Sequence, residues 1–299
     1  MTQTTAMLGL LTETSLHAGT GQMLGVIDLP IQRESHTGWP CVYGSAVKGA
    51  MRELAEKRGH KKTWVEDVFG PDMKNAEEHA GAIAITDARL LLLPVRSLTG
   101  HFKWVTCPAI LQRWQADYRR LGLPNGNEFS VPNTIKEDKA LVSNTLKEQD
   151  LFLEEFRFKT QPRQEIDNVV RSVAKLMGRE RNEIDKALLN QLTIVNDNMF
   201  AHIARYATPV NAHIAIDNET KIVKPGALWY EETLPPDTLL YTGLVAQKSR
   251  KPKSEKKADE VLKHIIDELF PESQPYLQLG GNETVGMGWC RVKPLCGGK

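Results

Sequence analysis

Two periodicities interleave irregularly along this 299-residue chain, and their order constrains its fold more than any single motif does. Apolar residues at strand spacing open the chain over Thr5–Ser15. They return in GAIAITDARLLLLPVRS and DLFLEEFRFK, and again in LPPDTLLYTGLVA and LQLGGNETVGMGWCRV. Helical spacing falls between them. It covers Val47, Ala50, Met51 and Leu54 after Ser45, the run from Pro108 to Gly122, Glu165–Met177, Arg181–Leu192, VNDNMFAHIARY, and Val261 to Phe270. A doubly wound sheet needs a regular strand–helix alternation, which this order lacks. It predicts an α+β fold.

Local signals add detail. Val210, Ala212, Ile214 and Ile216 alternate with polar residues, Asp217–Thr220 reads as a turn, and Ile222 and Val223 begin a return strand. The pattern predicts a β-hairpin over about 206–226. Ser45 is the expected N-cap of the helix that follows it. The segment 248–257, KSRKPKSEKK, is basic and poor in core residues; it is expected as a flexible loop, read either as solvated or as an RNA contact. The chain has no internal repeat, and its length suits one elaborate domain or two smaller ones.

Several function classes drop out early. Cys41, Cys107, Cys290 and Cys296 form no CxxC pair, which argues against zinc and for reduced thiols. The N-terminus has neither a basic start nor a long apolar run, and no stretch is long enough to cross a membrane. A cytoplasmic protein without a membrane partner is expected. The formal net charge is +1, so any nucleic-acid contact must come from clustered basic residues.

Five places carry candidate chemistry, each with two readings. Lys48 and Arg52 lie four residues apart on one helix face, and Gly49 between them leaves room for another backbone. They read as a phosphate-backbone site or as a solvated basic face. Asp28, in GVIDLPI, is a turn former or an acid aimed at a ligand. His17 is structural or catalytic. Glu231 and Glu232 suit acid–base or metal-ligand work, but neighbours on a strand point to opposite faces, so at most one meets a given substrate. The stretch Gly280–Gly288, GGNETVGMG, is not GxGxxG; it reads as a tight turn at a ligand or a neighbouring helix.

Taken together, LHAGTG, GVIDLPIQRE, TGWPCVYGSAVKGAMR, TDARLLLLPVRS, WVTCP, LWYEETLPPDTLLY and LQLGGNETVGMGWC resemble the RAMP superfamily of CRISPR RNA-binding proteins. More narrowly they resemble the repeating backbone subunit of type III-B (Cmr) effector complexes. The pieces span nearly the whole chain in order, with a loose match over roughly Asp117–Asp150. The resemblance implies a single domain over residues 1–299: a modified RRM-like, ferredoxin-like palm with an antiparallel sheet, inserted helical segments and a hairpin thumb carrying Val210, Ile214 and Ile216. It implies copies stacked in a helical filament on a CRISPR guide RNA, with other Cmr subunits, and regularly spaced cutting of complementary target RNA. Ser45, Lys48, Gly49 and Arg52, with Gly280, Gly281, Asn282, Thr284, Gly286 and Gly288, would then bind RNA. Asp28 would be the carboxylate that serves target cutting, as proton acceptor or as metal ligand, with His17 and Glu231 or Glu232 as further candidates. A divalent metal, Mg2+ or Mn2+, would sit at Asp28 and be shared with RNA phosphate. Two other roles stay open: a non-catalytic guide-binding filament subunit, and a stand-alone guide-processing ribonuclease.

Overall fold

The structure is a computed structural model. It describes residues 3–75, 77–124, 129–131, 134–178 and 182–297. The first third holds β1 (Thr4–Thr12), β2 (Cys41–Val42), α1 (Gly44–Lys57), α2 (Lys62–Phe69), β3 (Ile83–Ile85), β4 (Ala88–Arg96) and β5 (Phe102–Thr106). The middle holds α3 (Pro108–Arg120), β6 (Lys139–Ser143), β7 (Asp150–Leu153), β8 (Phe156–Arg163), α4 (Glu165–Leu176), α5 (Asn182–Gln191), β9 (Leu192–Ile194) and α6 (Asp197–Tyr206). The last third holds β10 (Val210–Ile216), β11 (Val223–Glu232), β12 (Leu239–Ala246), α7 (Ala258–Leu269), β13 (Tyr276–Gln278) and β14 (Trp289–Cys296).

One large, mainly antiparallel sheet runs β13-β14-β1-β12-β4-β5-β9-β6-β8-β7, with β2 on β4 and β3 on β12. The α+β class is therefore correct. β1 lies between β12 and β14 and is buried from Ala6 to Thr12. A strand covered on both faces needs a continuous apolar run, which Ala6 to Leu11 supply. α1 buries Val47, Met51 and Ala55, each large apolar side chain gaining about 1.5–3 kcal/mol on leaving water. Pro108 opens α3, where its missing N–H costs nothing.

β10 and β11 form a separate two-stranded sheet. The expected hairpin is present with different limits. Tyr206 ends α6, and the return arm passes Gly226 to reach Glu232. The arm is prolonged because the segment 28–31 pairs with its base. The Leu29 N–H donates to the Tyr230 carbonyl and the Glu232 N–H to the Leu29 carbonyl, both at 3.0 Å.

Three other expectations are corrected. The first strand stops at Thr12, not Ser15. DLFLEEFRFK is two strands, β7 and β8, because Glu154 takes a left-handed φ of 49° and turns the chain. Ser45 is not the N-cap of α1; Tyr43 holds that position without a side-chain bond. The free Gly44 N–H donates instead to Asp87 Oδ1 at 2.7 Å, a distant residue doing a local cap's work. The segment 248–257 is fastened to α2. Ser249 donates to Asp67 Oδ1 at 2.6 Å, Lys256 to Asp67 Oδ2 at 2.9 Å, and Lys251 to Glu66 at 2.6 Å.

Candidate nucleic-acid interface and active site

The site is built where the 13–33 segment, the base of the hairpin and the Gly-rich loop meet. Asp28 is half-buried, and its Oδ2 accepts the Tyr230 N–H at 2.7 Å. Its Oδ1 accepts no hydrogen bond among the described residues. The chain just before it, Met23, Leu24 and Val26, is exposed. Asp28 is thus an acid at the rim of the hairpin, with one oxygen anchored and one available.

His17 lies beneath this rim, 8% exposed. Its Nδ1 is 2.7 Å from the Glu232 carbonyl, so Nδ1 carries the proton and donates. The same atom is 3.7 Å from Glu231 Oε1. Glu231 and Glu232 are both 3% exposed and, as strand geometry requires, face opposite ways. Glu231 accepts from Asn282 Nδ2 at 2.5 Å. Glu232 Oε1 accepts from Arg33 at 2.5 Å and Thr208 at 2.6 Å, and its Oε2 from the Ile31 N–H at 3.0 Å. His17, Glu231 and Glu232, expected as further catalytic candidates, are placed as a buried lock under Asp28, and both oxygens of Glu232 are taken.

The Gly-rich loop closes onto the same lock. The Gly281 N–H donates to the His17 carbonyl and the Gly288 N–H to the Ser15 carbonyl, both at 2.8 Å. Gly280 has φ 79°, and a Cβ there would lie 2.2 Å from the His17 carbonyl oxygen. Only glycine allows this approach. The crest, Thr284 to Gly286, is exposed. From the far side Lys57 at the end of α1 reaches Glu283 at 2.6 Å.

Lys48 and Arg52, on one face of α1, part company. Arg52 bonds Asp72 at 2.5 Å, Glu56 at 3.0 Å and the Gly70 carbonyl at 2.9 Å, so it braces the end of α2. Where an RNA face shared with Lys48 was expected, the donors of Arg52 are engaged within the protein. Lys48 lines a groove of about 360 Å³ with Gly44, Ser45, Ala82, Gln247 and Arg250. Partial burial, then the charge of Arg52, holds its ammonium below the usual lysine range. A Cβ on Gly49 would meet nothing, so that face of α1 is open.

The hairpin presents an uncovered apolar face. Val210, Ile214 and Ile216 are 43%, 49% and 51% exposed, opposite Glu232, Leu228 and Val223. Leu228 and Tyr230 are exposed as well. On the other face His213 stacks on Trp229 with centroids 5.5 Å apart.

Among the described residues no group of three or more His, Cys, Asp or Glu side chains is placed to hold a metal ion. Asp28 offers one oxygen, and magnesium is held in such sites by one or two carboxylates with substrate phosphates and water. The fit is that of a single protein ligand, not a cage. Arg33, Thr208 and Tyr230 were not singled out by their sequence. Arg33 and Tyr230 lie within the conspicuous GVIDLPIQRE and LWYEE pieces, but nothing in those pieces marks a lock.

Comparison with known proteins follows the same lines. A family model of the RAMP superfamily matches residues 10–291. The chain is 35% identical over 292 residues to the CRISPR system Cmr endoribonuclease Cmr4 of Pyrococcus furiosus, covering 96% of this chain and 94% of the relative. It is 23% identical over 302 residues to the CMR subunit Cmr4 of Saccharolobus solfataricus, covering 94% of each. Among solved structures, oligomeric Cmr4 from Pyrococcus furiosus superposes with a TM-score of 0.75 at 27% identity, covering 100% of both chains. A chain of the type III-B Cmr-beta complex bound to cognate target RNA has the same fold, with a TM-score of 0.71 at 21% identity, covering 99% and 98%. No described helix is long and apolar enough to cross a membrane.

Proposed function

The chain belongs to the RAMP superfamily, in its Cmr4 family, and from that premise we propose that it is the repeating backbone subunit of a type III-B RNA-guided complex and cuts target RNA at Asp28. Copies of the chain stack along a guide RNA beside other Cmr subunits. The palm is a modified RRM-like core, and the 210–232 hairpin is its thumb.

The observation that carries this reading is the place of Asp28. Its carboxylate is fixed to the hairpin strand through Tyr230 and keeps one oxygen open. In an A-form duplex the 2′-hydroxyl is not in line with the 5′-oxygen it must expel. The exposed aliphatic face of Val210, Ile214 and Ile216 suits a wedge that unstacks one nucleotide, at a cost of a few kcal/mol. The freed 2′-oxygen attacks the adjacent phosphorus, the bond to the 5′-oxygen breaks, that oxygen takes a proton from water, and the products end in a 2′,3′-cyclic phosphate and a 5′-hydroxyl. Asp28 Oδ1 takes the 2′-hydroxyl proton, a contribution of roughly 10²–10⁴-fold. In the alternative role the same oxygen would instead hold a divalent ion shared with an RNA phosphate, which would neutralise charge at that phosphate.

Guide contact falls to Lys48, the open Gly49 face of α1 and the crest of the Gly-rich loop. Lys48 with Arg250 at one groove supports a phosphate site despite the near-neutral whole chain. A second reading rests on the Asp28–Tyr230 bond itself, which also suits an acid that merely shapes a turn in a non-catalytic filament subunit. The experiment is to assemble the complex on guide RNA, add end-labelled complementary RNA with magnesium, and map the product ends. Regularly spaced cuts with cyclic-phosphate termini are expected; 3′-hydroxyl termini would overturn the mechanism.

A further inference from the structure

Register gives β13 and β14 an outward face that none of the contacts above uses. Tyr276 pairs with Arg291 and Gln278 with Trp289, so these four side chains share one side of the sheet. Lys293 continues the stripe two residues on, while Leu277, Cys290 and Val292 point into the core. Trp289 is 43% exposed and Tyr276 36%. Trp39, Trp64, Trp104 and Trp114 are all 7% exposed or less, and Trp229 is only half-exposed beneath His213. Trp289 is thus the open indole of this chain.

The face is rigidly joined to the Gly-rich loop. Gln278 Nε2 donates to the carbonyls of Leu279 at 3.3 Å, Gly280 at 3.2 Å and Met287 at 3.2 Å. The Trp289 N–H is held by Thr14 Oγ1 at 3.1 Å, and Arg291 Nε lies 3.0 Å from Glu13 Oε1. Aromatic and cationic side chains therefore alternate on a fixed surface, directly after a loop whose crest is open.

We propose that Trp289 and Tyr276 form a base-stacking platform for single-stranded RNA leaving the Gly-rich loop, with Arg291 and Lys293 beside its phosphates. The proposal rests on the RNA-binding role above and adds the residues that hold unpaired nucleotides. Aromatic rings accept any base face, and interleaved cations track the backbone, which is the chemistry of sequence-tolerant single-strand binding. With Arg291 paired to Glu13, Lys293 leaves the stripe net positive, which favours a polyanion such as RNA.

The test uses the full chain with an unstructured single-stranded RNA bearing 5-bromouridine. In wild type, RNA is expected to quench tryptophan emission and to photocrosslink to Trp289 or Tyr276. Trp289→Phe should bind RNA with the quench lost, and Trp289→Ala should weaken binding about 5- to 100-fold. Tyr276→Ala gives an independent loss if the tryptophan variant folds poorly. Unchanged affinity and quench in Trp289→Ala would overturn the proposal. So would an unchanged RNA affinity with lowered self-association, which would make this face a contact between copies. A wild-type chain and complex that bind no RNA at all would sink the functional reading first, and this one with it.

Discussion

Asp28 Oδ2 and the Tyr230 N–H are 2.7 Å apart, so the acid and the hairpin's return arm form one mechanical unit. The neighbouring bonds from Leu29 to Tyr230 and from Glu232 to Leu29 continue the register on the inner side. A nucleotide displaced by the hairpin would meet an acid that moves with it. The consequences reach the stability of the lock, the loop, the basic helix and the chemistry.

Glu232 is the keystone of the lock. Glu232→Ala takes the carboxylate from Arg33, Thr208 and the Ile31 N–H at a site only 4% exposed, leaving Arg33 with the Gly38 and Ala204 carbonyls. The expected loss is about 2–3 kcal/mol, below the full cost of an unpaired buried charge because those carbonyls and some solvent remain to Arg33. Glu232→Gln keeps an acceptor and should lose less. Urea denaturation of both variants checks the order.

The loop glycines should separate by location. Gly286→Ala meets open space and carries only the left-handed strain at φ 83°, about 1–2 kcal/mol. Gly280→Ala drives a methyl into the His17 carbonyl and should cost more, with weakened guide binding as the loop lifts. Thermal melts with guide-binding titrations read both effects; equal losses would count against the docked loop.

Lys48 and Arg52 should part in the same way. Lys48→Ala is expected to lower guide affinity and reduce the magnitude of the log–log salt slope by about one, with stability unchanged. Arg52→Ala removes the bonds to Asp72 and the Gly70 carbonyl, and should cost about 1–3 kcal/mol. Binding isotherms at several salt concentrations, paired with denaturation curves, distinguish them.

Acid should loosen the 248–257 segment. Burial opposes ionisation of Asp67, but bonds from Ser249 and Lys256 outweigh it and hold the carboxyl below its usual range. A depressed folded pKa favours the ionised native state. Its stabilisation is therefore complete above the unfolded value, about 3.9, and is lost as pH falls through the folded one. The stability gap between wild type and Asp67→Asn should be widest near pH 6 and close below about pH 4. A gap that does not change with pH would contradict the assignment.

What the sequence made legible follows from range. Val47, Met51 and Leu54 announce α1 because helical spacing is local. The Ile214–Ile216 alternation announces the hairpin for the same reason. Ser45 misleads because the real partner of the helix start, Asp87, is 43 residues away. The turn at Glu154 lacks the Gly or Asn that usually marks a left-handed residue. Eight-residue α2 is too short for periodicity to separate from a loop. At the site, Asp28 and the Gly-rich loop stand out as motifs, whereas the roles of His17, Glu231, Glu232 and Arg52 depend on partners far along the chain. A carboxylate looks alike in sequence whether it meets solvent or lies under Arg33.

The most direct measurement compares wild type with Asp28→Asn in the assembled complex, reading target binding and target cleavage on the same labelled RNA. The amide keeps the shape and can still accept the Tyr230 N–H, but it cannot take a proton. The account predicts unchanged assembly and target affinity with cleavage reduced by about 10²-fold or more. Cleavage at the wild-type rate, with the same spacing, would contradict it and leave the chain a scaffold whose nuclease lies in another subunit.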